Sequence, residues 1–135
     1  MDENCLFCKF ASGEIKPQVV YEDEKCIVFM DKFPLTRGQT LIVGKIHETY
    51  IFDLDNDTYT HCMLIAKKIV KATDEAFGNE RCWLIIQGLE VPHNHIKILP
   101  MYKGKHIPIE EGTEKEASDE ELKDLAEMIK SKLKE

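Results

Sequence analysis

The chain has 135 residues, 43% of them apolar and 32% charged, with a net charge of -7. That length suits one compact domain around one hydrophobic core. The acidic balance argues against duplex nucleic acid as a partner, and no apolar run approaches the ~20 residues that a membrane-spanning helix needs.

In chain order, residues 5–11 predict a short helical turn ending near Ser12-Gly13. Gln18 to Tyr21 and Lys25 to Met30 predict strands around the acidic turn Glu22-Asp23-Glu24. Pro34 and Gly38 punctuate a loop, and Gln39 to Lys45 predicts a third strand. Asn56 or Asp57 can cap a helix reaching Phe77, with Cys62, Ala66, Ile69, Thr73 and Phe77 at helical spacing and Gly78 as the stop. Trp83 to Ile86 reads as a short buried strand with Trp83 in the core, and Val91 to Leu99 as another, ended by Pro100. Residues 103–117 read as an extended, solvated connection that includes His106. Ser118 with Glu121 is a capping-box pair, and Leu122, Leu125, Ile129 and Leu133 form one apolar stripe.

Strands, helix, strands, helix is the order of an α+β domain with an antiparallel sheet, a central helix and a C-terminal helix. The expected extent is a single domain over 1–135, its core at about 5–102 and a C-terminal extension over 103–135. The polar, acidic start Met1-Asp2-Glu3-Asn4 does not resemble a secretory signal, so a cytoplasmic location is expected. The odd cysteine count argues against a disulfide framework. Cys26, Cys62 and Cys82 sit among apolar neighbours and are expected to pack there.

The segment Val91-Pro92-His93-Asn94-His95-Ile96-Lys97-Ile98-Leu99-Pro100 is the informative one. Alternation along a strand places His93, His95 and Lys97 on one side, and Ile96 and Ile98 on the other. Three basic side chains in a row suit a phosphate. An imidazole with an unperturbed pKa of ~6.5 is largely neutral near pH 7 and can act as a nucleophile. Read locally, the same row also fits an exposed edge strand.

This segment resembles the active-site strand of the histidine-triad (HIT) family, His-φ-His-φ-His-φ-φ followed by Pro. Upstream, Cys5-Leu6-Phe7-Cys8-Lys9-Phe10, Gly13-Glu14-Ile15, Val20-Tyr21-Glu22-Asp23-Glu24, Phe29-Met30-Asp31, Pro34, Gly38 and Leu41-Ile42-Val43 resemble the family's preceding blocks. The similarity runs in order over about residues 5–102.

The resemblance implies that His95 attacks an α-phosphorus to form a nucleotidyl-histidine, which water then releases as a nucleoside monophosphate. It implies that the His93 carbonyl orients the His95 ring and that Asp31 holds the ribose hydroxyls. Leu6, Phe7, Phe10, Ile15 and Phe29 would wall the base pocket, although core packing explains these five equally well. Two departures stand out. Lys97 occupies the third histidine position, and the loop Gln87-Gly88-Leu89-Glu90 is short, with Glu90 where serine is common.

Cys5-x-x-Cys8 is half of a tetrahedral zinc site, with His47, His61, His93 and His106 as candidates to complete it. Members with this N-terminal pair imply His47 and His93, which would give a structural Cys2His2 zinc site. A merely packed or redox-active pair is the alternative, although the redox reading needs a βαβ context absent here.

The implied activity is hydrolysis of a nucleoside phosphate derivative, with purine nucleoside phosphoramidates first and dinucleoside polyphosphates second. The implied assembly is a homodimer. A nucleotidyl transferase and a catalytically weakened nucleotide-binding module are the rival readings.

Overall fold

The computed structural model describes residues 5–89, 91–104 and 115–134. Helix α1 (Leu6–Ser12) starts at Cys5, whose Sγ accepts a hydrogen bond from the Cys8 N–H. It stops at Gly13, which takes the left-handed conformation at φ 84°.

Strands β1 (Val19–Glu22), β2 (Cys26–Met30), β3 (Thr40–Gly44), β4 (Arg81–Ile85) and β5 (His95–Met101) form one antiparallel sheet in the order β1-β2-β3-β5-β4. Helix α2 (Asn56–Phe77) separates β3 from β4, and α3 (Asp119–Lys130) follows β5. The expected α+β class is therefore the observed one. Among the described residues no helix is long and apolar enough to cross a membrane.

Strand alternation sorts the core into two layers. On one face Cys26, Val28, Met30, Ile42, Ile96 and Ile98 pack against α2 and α3. On the other, Ile27, Phe29, Leu41 and Val43 pack against Phe7 and Cys8 of α1. β2 and β3 are buried on both faces, which is why they read as unbroken apolar runs. Ile65, Ala66 and Ile69 of α2 and Leu122, Leu125 and Ile129 of α3 supply the helical side of the first layer.

Several expectations are corrected. The side chain that caps α2 is Asp55, which accepts from the Thr58 N–H, one residue ahead of the expected Asn56 or Asp57. β4 lies at the sheet edge, where Trp83 and Leu84 are 40% and 39% exposed, so Trp83 is not a core residue. Apolar composition does not report which side of an edge strand is covered. Cys82 is only half-buried for the same reason, whereas Cys26 and Cys62 are buried as expected.

β5 starts at His95, not Val91, and continues through Pro100 to Met101. Proline is tolerated because β3 pairs with β5 only up to Ile98, so at Pro100 the ladder has β4 alone as its partner. At the other end, Pro92 offers no N–H, and Asn94 replaces the ladder with its own side chain. Its Oδ1 accepts from the Gly44 N–H, and its Nδ2 donates to the Ile46 and Glu48 carbonyls. A Cβ on Gly44 would stand 2.2 Å from Asn94 Oδ1, so glycine is required at the end of β3.

Candidate active site and metal centre

His95 and Lys97 fall on the α1 side of the sheet because Ile96 and Ile98 take the other. β5 is internal, paired with both β3 and β4, so the exposed-edge reading is excluded. His93 does not belong to that strand row. It lies in the preceding bend, where its ring is fully buried.

The His95 ring is oriented by a contact from Nδ1 to the His93 carbonyl oxygen, at 2.6 Å. A carbonyl can only accept, so Nδ1 carries a proton, and in the neutral imidazole it is Nε2 that bears the lone pair. Phe7 packs edge-on against this imidazole, with ring centroids 5.0 Å apart. Lys97 donates from Nζ to Gln87 Oε1 at 3.1 Å. Glu90 lies outside the described residues.

Beside His95 opens a cleft of about 650 Å³, bordered by Lys97 and Asp31 as well. Leu6, Phe7, Phe10, Ile15 and Phe29 all line it. Phe10 and Phe29 meet edge to face at 4.9 Å, and Phe7 and Phe29 at 5.8 Å, which makes a rigid aromatic corner. Packing and lining are not exclusive here. Phe7 and Phe29 belong to the buried layer, whereas Leu6 and Ile15 stand half-exposed at the rim.

Asp31 is oriented from both oxygens, with Oδ1 accepting the Phe33 N–H at 2.9 Å and Oδ2 accepting Gln39 Nε2–H at 2.7 Å. Gln39 is itself buried and accepts from the Leu35 N–H. Sequence reasoning missed Gln39, Phe33, Gln87 and Asn94. An amide at position 94, in line with Ile96 and Ile98 on the expected strand, was the one available signal.

Around the buried His93 ring, four donors converge. Cys5 Sγ and Cys8 Sγ lie 3.2 and 3.4 Å from His93 Nδ1. His47 Nδ1 lies 3.0 Å from Cys8 Sγ and 3.2 Å from His93 Nδ1. Zinc bonded to sulfur at ~2.3 Å and to nitrogen at ~2.0 Å in a tetrahedron would hold neighbouring donors roughly 3.3–3.8 Å apart, so the cluster needs little adjustment to take it.

The tautomer also fits. His93 Nε2 faces the Gly44 carbonyl at 2.6 Å and must carry the proton, leaving the Nδ1 lone pair among the two sulfurs and the second imidazole. Burial lowers the His93 pKa, His47 and His95 add to that effect, and the Gly44 carbonyl opposes it only in part. Of the other two histidine candidates, His61 lies beside Asp23 instead. His106 is outside the described residues.

The site is thus an aromatic cleft that ends at an oriented imidazole, on an antiparallel sheet beside a cluster of two cysteines and two histidines. The HIT domain profile matches residues 12–104. An uncharacterized HIT-like protein of Methanocaldococcus jannaschii is 33% identical over 90% of this chain and 98% of its own length. An adenylylsulfatase of Arabidopsis thaliana is 30% identical over 74% of this chain and 53% of its own. Among solved structures, a HIT-like protein of Bartonella henselae superposes with a TM-score of 0.89 at 28% identity, covering 98% of each chain. The chain belongs to the HIT family.

Proposed function

We propose that this chain is a single-domain hydrolase of nucleoside phosphate derivatives that works through a nucleotidyl-His95 intermediate. The observation that carries the reading is the 2.6 Å contact between His95 Nδ1 and the His93 carbonyl, which orients the ring so that, in the neutral imidazole, Nε2 is the nucleophile. Nε2 attacks the α-phosphorus, a P–N bond forms and the bond to the leaving group breaks. Water then attacks the same phosphorus, releasing the nucleoside monophosphate and restoring the imidazole.

In this reading the base stacks in the aromatic corner of Phe7, Phe10 and Phe29, with Leu6 and Ile15 at the rim. Asp31, braced by Gln39, accepts from the ribose hydroxyls. Lys97 replaces the family's third histidine and places an ammonium beside the phosphate, where it stabilises developing negative charge. Purine nucleoside phosphoramidates are the first expected substrates and dinucleoside polyphosphates the second. A mixed anhydride such as an adenylyl sulfate belongs in the same panel, given the name of the Arabidopsis relative.

Cys5, Cys8, His47 and His93 would hold a structural zinc, since all four positions come from the protein. It would tie α1 to the bend that presents the His93 carbonyl, and it supplies no reacting group. The exposed apolar residues of and after β4, Trp83, Leu84 and Leu89, suit a homodimer contact. The expected compartment is the cytoplasm.

A substrate labelled on the α-phosphate, quenched in acid-free denaturant during a single turnover, should leave label on His95. Label that never reaches the protein, while the nucleotide still binds, would establish the binding-module reading. Transfer of the label to an added phosphate acceptor in preference to water would establish the transferase.

A further inference from the structure

A second group of metal-type donors lies on the opposite side of the sheet. Asp23, Cys26 and His61 bring one oxygen, one sulfur and one nitrogen within 4.8 Å of one another. Cys26 faces the α2 layer, whereas Cys5 and Cys8 belong to the α1 layer, so the two groups are separated by the sheet itself.

The three side chains are held by different elements. Asp23 closes the β1–β2 turn, and its Oδ1 accepts from the Lys25 and Cys26 N–H groups at 2.8 and 3.0 Å. That fixes the carboxylate and leaves Oδ2 to accept the Tyr21 hydroxyl at 2.8 Å and to face His61 Nε2 at 2.5 Å. Cys26 opens β2 with no exposed surface. His61 sits in the second turn of α2 with its side chain 32% exposed.

The geometry points to a second metal site, formed by Asp23 Oδ2, Cys26 Sγ and His61 Nε2, for a thiophilic divalent cation of the zinc class. A thiolate and a carboxylate neutralise a dication, and a single oxygen donor is a poor match for calcium or magnesium. Three protein ligands leave the fourth tetrahedral position to water.

The shell behind the donors is also in place. The Tyr21 hydroxyl steadies the carboxylate, and Cys62 lies in the same buried layer as Cys26. Binding displaces the protons of the Cys26 thiol and of His61 Nε2 and replaces the short imidazole–carboxylate contact, so His61 swings outward by about 1 Å to reach tetrahedral spacing. Its partial exposure gives it that room. The bound cation would clip the β1–β2 turn to α2 across 38 positions of sequence.

Titration of the metal-free chain with Co2+ tests the site. Two equivalents should bind, each with thiolate-to-cobalt absorption, the one-thiolate site giving the weaker band. His61→Ala should lose the weaker equivalent and retain the stronger, and a Cys5→Ser/Cys8→Ser variant should do the reverse. An equivalent count that His61→Ala leaves unchanged overturns the proposal, as does a second equivalent with no thiolate absorption. If the double cysteine variant does not fold, cadmium NMR of the unmodified chain gives the same answer. Separate one-thiolate and two-thiolate resonances support the site, and a two-thiolate resonance alone overturns it.

Discussion

His95 Nδ1 lies 2.6 Å from the carbonyl oxygen of His93, whose own ring stands in the Cys5–Cys8–His47 cluster. One residue therefore joins the candidate nucleophile to the candidate metal centre, its carbonyl serving one and its imidazole the other. Disturbing the cluster should disturb the chemistry without touching a reacting group.

His95→Ala should abolish the covalent intermediate. Removing the nucleophile of a two-step reaction costs orders of magnitude in kcat, while the aromatic cleft keeps most of its affinity. Single-turnover kinetics and a separate binding titration with a non-hydrolysed nucleotide measure the two effects. Unchanged turnover would rule out the histidine mechanism.

Cys8→Ser should empty the Cys2His2 cluster and lower the thermal midpoint. Loss of a structural metal belongs among the large single-residue effects, on the order of 4 kcal/mol. Activity should fall along with the metal content, because the His93 bend loses its anchor. Elemental analysis beside thermal unfolding checks this, and full stability of a metal-free wild-type chain would contradict it.

Lys97→Met should lower kcat more than it raises KM, by the roughly 10²–10³-fold expected when one donor to a developing oxyanion is removed. Lys97→His should restore part of the loss. A solvent-directed or purely structural lysine would leave kcat almost unchanged.

Gly44→Ala forces a methyl against Asn94 Oδ1, at 2.2 Å before relaxation. Overpacking of this kind costs about 1–3 kcal/mol. Asn94 stands between His93 and His95, so the variant should lose activity beyond what its reduced stability explains. Comparing kcat with the folded fraction at one temperature separates the two losses.

Cys82 should be a poor nucleophile despite its partial exposure. Burial, and then the Asp74 carboxylate, push its thiol up to about 12. The folded chain thus keeps a proton that the unfolded chain gives up near pH 9. The stability this contributes is full below that value and is lost as pH rises toward 12. Alkylation mapped by mass spectrometry at pH 8.5 should spare Cys82 in the native state, and Asp74→Asn should speed its labelling.

The α+β class, the order of the elements and the two faces of β5 were legible in the residues alone, because period-2 alternation and helical spacing are local properties of the chain. The sequence also singled out Cys5 and Cys8, whose spacing lies within one turn. It could not report that β4 is a sheet edge with Trp83 and Leu84 exposed, since apolar composition says nothing about what packs on a strand. Local spacing could not choose among four histidines, because His47 and His93 lie 39 and 85 positions from Cys8, and only the family resemblance implied that pair. The tertiary structure brought that pair together beside the cysteines and started β5 at His95 rather than Val91. Asn94 bonded to the end of β3 in place of a ladder, and that bend alone lets His93 turn its ring to the cysteines while its carbonyl holds His95.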